Sequence, residues 1–229
     1  MARKKILFVI VEGPSDDDAL GVILNRIYDK NFVHVHIMHG DITTQSSVTP
    51  ENIVAKIGGL VRTYADRKFK PNDFRQIIHI TDTDGAFIPN ESIIEDSQMS
   101  HPFYLTTEIR TNQKFRIEAR NFQKQANLNR LVQLTSVWKV PYQIYYMSCN
   151  LDHVLYNKLN SSDEEKEYNS LAFARKYQND IPSFLEFISN SEFSVSGNYK
   201  ESWEFIRQGL HSLERHTNFG LCFESNENI

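Results

Sequence analysis

The sequence predicts an α/β domain: an open, mostly parallel sheet flanked by helices, carrying a basic helical insertion and a helical C-terminal extension. Three observations lead there. Short β-branched apolar runs alternate with stretches of helical spacing in a βαβαβ order. Two of those runs end in carboxylates. A chain of 229 residues, 40% hydrophobic and 24% charged, is enough for one large domain with its own core.

Lys5 to Val11 is a continuous, β-branched apolar run, as expected of a strand buried on both faces. Pro14, Ser15 and Asp16 start a helix that the spacing of Ala19, Leu20, Ile23, Leu24 and Ile27 carries to about Tyr28. Phe32 to Met38 alternates histidine with apolar residues and predicts a second strand, with His39-Gly40-Asp41 behind it. Pro50-Glu51 opens a helix that runs to the breaker at Lys68 to Pro71. Gln76 to Thr81 is a third strand, closing on Asp82-Thr83-Asp84-Gly85. From about 86 to 138 no strand is evident; the segment is rich in Asn, Gln and basic residues and holds a helix from Thr111 to Leu134, so it reads as an insertion. The sheet resumes with a fourth strand from Pro141 to Met147, followed by a helix start at Asn150-Leu151-Asp152. Residues 159–229 read as a helical extension packed on the sheet, with helical spacing over Asp163 to Ser189 and Tyr199 to His216 and a frayed polar tail at Glu224 to Asn228.

The net charge of −4 is unevenly placed. Between Arg110 and Lys139 seven basic residues accompany a single acid, Glu118, so one face suits an anionic partner while the remainder is acidic. On a helix, Arg116, Arg120 and Lys124 fall on one stripe flanked by Lys114, a pattern that can track a phosphate backbone; a solvated helix face is the plainer alternative. No apolar run approaches the roughly 18 to 20 residues of a membrane span. The basic start Met1 to Lys5 is followed by only a short apolar run and no small-residue cleavage site, so a cytoplasmic location without a membrane partner is expected. Cys149 and Cys222 are too few for a disulfide framework or a Cys-rich zinc site.

Chemistry concentrates where strands end. Glu12 closes the first strand, and Asp82 and Asp84 close the third. In an open parallel sheet both ends face one crevice, where the mutual repulsion of three carboxylates calls for a cation. Hard oxygen donors with open positions suit Mg²⁺ or Mn²⁺ held together with a phosphate. Either motif alone is equally well a helix cap or a turn. Asp152, after the fourth strand, is an accessory candidate, with an ordinary helix-start acid as its alternative. His34 and His36 share a strand face with no Cys, Asp or Glu nearby to complete a ligand set, while His39-Gly40-Asp41 lies at a strand's carboxyl end within approach of the acidic site, without being taken as catalytic. Gly85 and Ile93 are misplaced for an EF-hand, and Asp17 stands where a nucleophile elbow needs its second glycine.

Val11-Glu12-Gly13-Pro14-Ser15-Asp16 after a buried strand, with Asp82-Thr83-Asp84 after a later one, resembles the Toprim domain of topoisomerases, primases and nucleases of the overcoming-lysogenization-defect family. The resemblance covers roughly residues 5–158 and implies a Toprim domain over 1–158 with a Rossmann-like sheet and the insertion at about 86–138 inside it. It implies that Asp82 and Asp84 hold Mg²⁺, that Glu12 binds a second metal or assists proton transfer, and that Asp16, found in the nuclease-like form of the motif, supports the metal shell. The chain is too short for the extra topoisomerase domains, and it lacks a Cys-rich primase motif and the Gly-Lys-Ser/Thr loop of a fused ATPase. What the resemblance implies is a stand-alone Toprim nuclease that hydrolyses phosphodiester bonds of DNA or RNA, as phage-defence effectors do, with a separately encoded ATPase or a second copy of itself as partners. Two alternatives stand beside it. One is a non-catalytic Toprim module that binds nucleic acid or a partner. The other is a phosphatase of the haloacid-dehalogenase type, although Ala86 replaces the threonine of that motif, which here follows the third strand instead of the first.

Overall fold

Every residue of β1 (Lys5–Val11) after its first is buried, which requires cover on both faces of the strand. A computed structural model describes residues 4–28 and 30–224 of the chain and supplies that cover. Helix α1 (Pro14–Ile27) follows, then β2 (Val33–His39), α2 (Ile53–Ala65) and β3 (Phe74–Asp82). After the insertion come β7 (Ser136–Val137), β8 (Val140–Met147) and α4 (Leu151–Tyr156). The sheet runs β2-β1-β3-β8-β7; the first four strands are parallel and β7 joins β8 as an antiparallel edge. The fold is therefore α/β, with a mostly parallel central sheet between helices.

Alternate residues of β1 point to opposite layers. Leu7, Val9 and Val11 meet Leu20, Ile23 and Leu24 of α1, whereas Ile6, Phe8 and Ile10 meet Ile57 and Val61 of α2. The carboxyl third contributes α5 (Asp163–Tyr177), α6 (Ile181–Asn190), α7 (Tyr199–Ile206) and α8 (Leu221–Glu224). Phe173, Tyr177, Phe184 and Phe219 complete the first layer, and Trp203 and Ile206 complete the second. Residues 159–224 thus supply part of both cores, which is a closer union than an extension laid on a finished sheet.

Two expectations need correction. The segment 86–138 is not free of strands: β4 (Ile93–Glu95), β5 (Phe103–Tyr104) and β6 (Ile109–Thr111) form a small sheet in the order β4-β6-β5, and β7 ends the segment. Strands of two or three residues are too short to display alternation, so no period announces them. The helical spacing over Tyr199 to His216 becomes helix only as far as Ile206; beyond it the chain turns, with Gly209 at φ 52°. The helix of the insertion, α3, spans Lys114–Val132. Residues 225–228 of the polar tail and residues 1–3 of the basic start lie outside the described residues.

Candidate functional site

The carboxyl ends of the parallel strands meet at one side of the sheet, as the topology requires. Glu12 is the residue after β1 and reaches over β3: its Oε1 accepts from Thr81 Oγ1 at 2.8 Å, from the Asp82 backbone N–H at 3.0 Å and from Lys124 Nζ at 3.3 Å. Glu12 Oε2 carries no hydrogen bond among the described residues. The same Lys124 ammonium is ion-paired with Asp84 Oδ2. Glu12 and Asp84 therefore share one cation, with Asp82 between them on the chain.

Asp84 is held by its backbone. It sits in the left-handed region at φ 50°, its N–H donates to Cys149 O at 2.7 Å, and its carbonyl accepts from Arg120 Nη2 at 2.7 Å. Gly85 follows at φ 66°, and a Cβ there would lie 2.6 Å from Leu213 Cδ2, so glycine is required on both counts. Thr83 anchors the turn from below, donating to Ser212 O at 2.9 Å and accepting from the Cys149 N–H at 2.8 Å.

Asp16 and Asp152 join the same region. Asp16 Oδ2 accepts from the backbone N–H groups of Gly13 and Glu12, at 2.9 and 3.1 Å, so one oxygen caps the loop that carries Glu12. Asp16, Asp82 and Asp152, with Ser15, Asn150 and Lys166, line a hollow of about 40 Å³. A larger cavity of about 680 Å³ opens beside it, floored by Asp82, Asp84 and Asn150.

The electrostatics follow from burying more carboxylates than there are cations. Burial pushes Glu12 up to about 8, opposed by Lys124 and reinforced by Asp84 and Asp41. Burial and then repulsion from Glu12, Asp16 and Asp84 hold Asp82 well above the usual carboxylate range. Asp16 is raised to about 6 by burial, with repulsion from Asp152 adding to it. Asp152 is also raised, again chiefly by burial. Asp84 goes the other way: burial opposes its ionisation, but the charges of Lys124 and Arg120 outweigh burial. Lys124 is correspondingly held charged, its own burial offset by Asp84 and Glu12.

No protein-family model, curated protein or solved structure matches the chain. The site is therefore read from its own residues.

The five acidic residues singled out in the sequence, Glu12, Asp16, Asp82, Asp84 and Asp152, come together. The basic stripe does not form as expected. Lys124 is 0% exposed and belongs to the acidic cluster, and Arg120 is turned inward to Asp84 and to Tyr104 Oη, 2.6 Å away. Of these four residues Arg116 alone is exposed, with Lys114 half-buried at the start of α3. The reason is the register of α3: Ile117, Asn121, Lys124, Leu128 and Leu131 share its inner face, and Lys124 stands in line with the apolar positions. That register was the available signal. Asp41, behind β2 at the carboxyl side of the sheet, does approach the acidic site and is close enough to raise Glu12. His39 pairs with Asp17 at the surface, 3.1 Å away.

A hard divalent cation fits the donor chemistry, since the carboxylates exceed the nearby ammonium and their protons are retained for want of positive charge. The spacing is not that of a closed metal centre: among the described residues no three His, Cys, Asp or Glu side chains are grouped so as to hold a metal ion. Nor is any helix among them long and apolar enough to cross a membrane.

Proposed function

We propose that the protein is a metal-dependent hydrolase of phosphodiester bonds in nucleic acid, a nuclease of the Toprim type. The observation that carries the reading is the meeting of Glu12, Asp82 and Asp84, with Asp16 and Asp152 alongside, at the carboxyl ends of neighbouring parallel strands beside a cavity large enough for a substrate.

Asp16, Asp82 and Asp152 line the small hollow next to that cavity but are not grouped as a ready metal centre, so they would hold Mg²⁺ or Mn²⁺ only by drawing closer together. When bound, such a cation neutralises the phosphoryl oxygens and lowers the pKa of a water molecule. The chain's own groups divide the remaining work. Lys124 fixes Asp84 and Glu12 relative to each other, and Arg120 holds the turn that presents Asp84. Glu12 keeps Oε1 engaged by three donors and leaves Oε2 to take the proton of an attacking water, a role for which a pKa of about 8 suits it. The water oxygen bonds to phosphorus as the bond from phosphorus to the leaving sugar oxygen breaks.

Incubation with plasmid, single-stranded DNA and tRNA in Mg²⁺, with Asp82→Asn and Asp84→Ala in parallel, tests the reading. Cleavage is expected from the native chain and at least a hundredfold less from either variant, with circular dichroism unchanged. Undiminished cutting by a variant would move the chemistry elsewhere. A second reading, a non-catalytic Toprim module that binds nucleic acid, is favoured by one observation: Lys124 already pairs with Asp84 and Glu12 without a metal, leaving one carboxylate charge uncompensated. Nucleic-acid binding without cutting in the same experiment would select it.

A further inference from the structure

The large cavity has two walls from distant parts of the chain. One is the stretch from Gln98 to Tyr104 in the insertion; the other runs from Leu159 to Ser162 and on to Lys166 at the start of α5. The walls are tied together by a reciprocal pair in which Asn160 accepts from the Tyr104 N–H at 2.9 Å and donates to Tyr104 O at 2.8 Å. The ring of Tyr104 is itself fixed by Arg120 at its hydroxyl. Beside it Phe103 is 42% exposed, a large apolar side chain on the lining of a cavity of mixed polar and apolar character. Lys166, exposed at the start of α5, also lines this cavity and borders the small hollow with Asp16, Asp82 and Asp152.

A second cavity of about 320 Å³ shares Ser100, His101 and Pro102 with the first and continues on their far side to Arg116 and Arg120. Arg116 is exposed and its guanidinium meets Gln113 Oε1 at 3.1 Å. The two cavities adjoin at Ser100, His101 and Pro102 as one cleft, with Lys166, Phe103 and two aspartates on the lining of the first part and Arg116 and Arg120 on that of the second. A paired, stacked base shows only its edges to a protein, and Phe103 has no hydrogen-bonding group with which to read an edge. A ring face is useful only to a base whose own face is bare.

We propose that this cleft takes an unpaired stretch of nucleic acid, with a base against Phe103, backbone phosphates at Lys166 and Arg116, and the phosphodiester to be cut over Asp82 and Asp84. The last clause rests on the hydrolase reading; the first three do not. Single-stranded DNA and RNA share the recognised chemistry, and a duplex does not.

The test is fluorescence anisotropy in EDTA with labelled single-stranded DNA, RNA of the same sequence and the blunt duplex, each about 15 nucleotides long. At least one single strand should bind tenfold or more tightly than the duplex. Phe103→Ala should weaken that binding about fivefold or more with an unchanged salt slope, and Phe103→Trp should restore it. Lys166→Ala and Arg116→Ala should each flatten the log-log salt slope by about 0.7. Lys200→Ala, an exposed lysine on α7 far from the cleft in sequence, is the charge-matched control and should change nothing. Equal or tighter duplex binding, no binding of any strand, or indifference to Phe103→Ala would overturn the proposal. Addition of Mg²⁺ then separates the two ideas. Single-strand binding without cutting removes the hydrolase and keeps the cleft; cutting without single-strand preference does the reverse.

Discussion

Replacing Glu12 by Gln removes one buried negative charge and keeps most of its bonds, because Thr81, the Asp82 N–H and Lys124 all address Oε1, which a Gln carbonyl can imitate. The native carboxyl titrates near 8 in the fold against 4.5 when unperturbed, raised first by burial. Between those two values the native state binds the proton that the unfolded chain has lost, so stability falls as pH rises through that window. The penalty is absent below about 4.5 and complete above about 8, and the interval sets a ceiling of roughly 5 kcal/mol. Gln carries no such penalty. The variant should match the native chain near pH 4.5 and exceed it increasingly toward pH 8.5; half the ceiling would already raise Tm by about 5 to 10 °C in a domain of this size. Thermal unfolding by circular dichroism in EDTA, at half-unit pH steps, reads the difference directly. A variant-minus-native difference that is flat with pH, or that shrinks as pH rises, would refute the placement of Glu12 as a buried, proton-retaining carboxyl.

Three further outcomes follow from the same geometry. Lys124→Met leaves Asp84 and Glu12 without their shared cation and should cost about 3 to 5 kcal/mol in urea unfolding, whereas Arg116→Ala should stay within about 0.5 kcal/mol; equal effects would return Lys124 to the surface. Gly85→Ala combines a φ of 66° with a 2.6 Å approach to Leu213 and should cost on the order of 1 to 3 kcal/mol, so a neutral result would dismiss the tight turn behind Asp84. Millimolar Mg²⁺ should release protons at pH 7 and raise Tm, because a cation among Asp16, Asp82 and Asp152 favours their ionised forms; an unmoved Tm in calorimetry would remove the metal from the site.

β1 was legible because after Lys5 it is an uninterrupted apolar run, as a strand buried on both faces must be, whereas β2, β3 and β8 were legible from β-branched and aromatic residues interrupted by His34, His36, His79 and Gln143. The acidic cluster was legible for a related reason: in a parallel sheet, position after a strand is position in space, so Glu12, Asp82, Asp84 and Asp152 could be placed together from the order of elements alone. Asp41, behind β2, approaches the cluster by the same rule. Lys124 was misplaced because spacing four apart aligns residues along a helix without saying which way the stripe faces. Its neighbours Leu128 and Leu131 answer that, and a lysine among them is buried only because carboxylates from two strands wait there. The small sheet β4-β6-β5 stayed hidden because its stability comes from the third cluster of Ile88, Ile93, Ile109, Ile117, Cys149 and Leu213, most of it distant in sequence from any one strand.

The bond from Thr83 to Ser212 spans 129 positions, and Cys149 and Ser148 are stitched to the same late stretch through Ser212 O and His216 O. Ribosomes add about 5 to 20 residues each second, so the acidic turn leaves the tunnel on the order of ten seconds before its scaffold exists. Over that interval Asp82 and Asp84 face water that satisfies their charge, on a turn whose anchor at Ser212 has not yet been made. Closing so long a loop is slow relative to local helix formation. Assembly of the cleft is thus a late event in the life of each molecule, and a nascent chain stalled before residue 212 would carry every acidic group of the site and no working site at all.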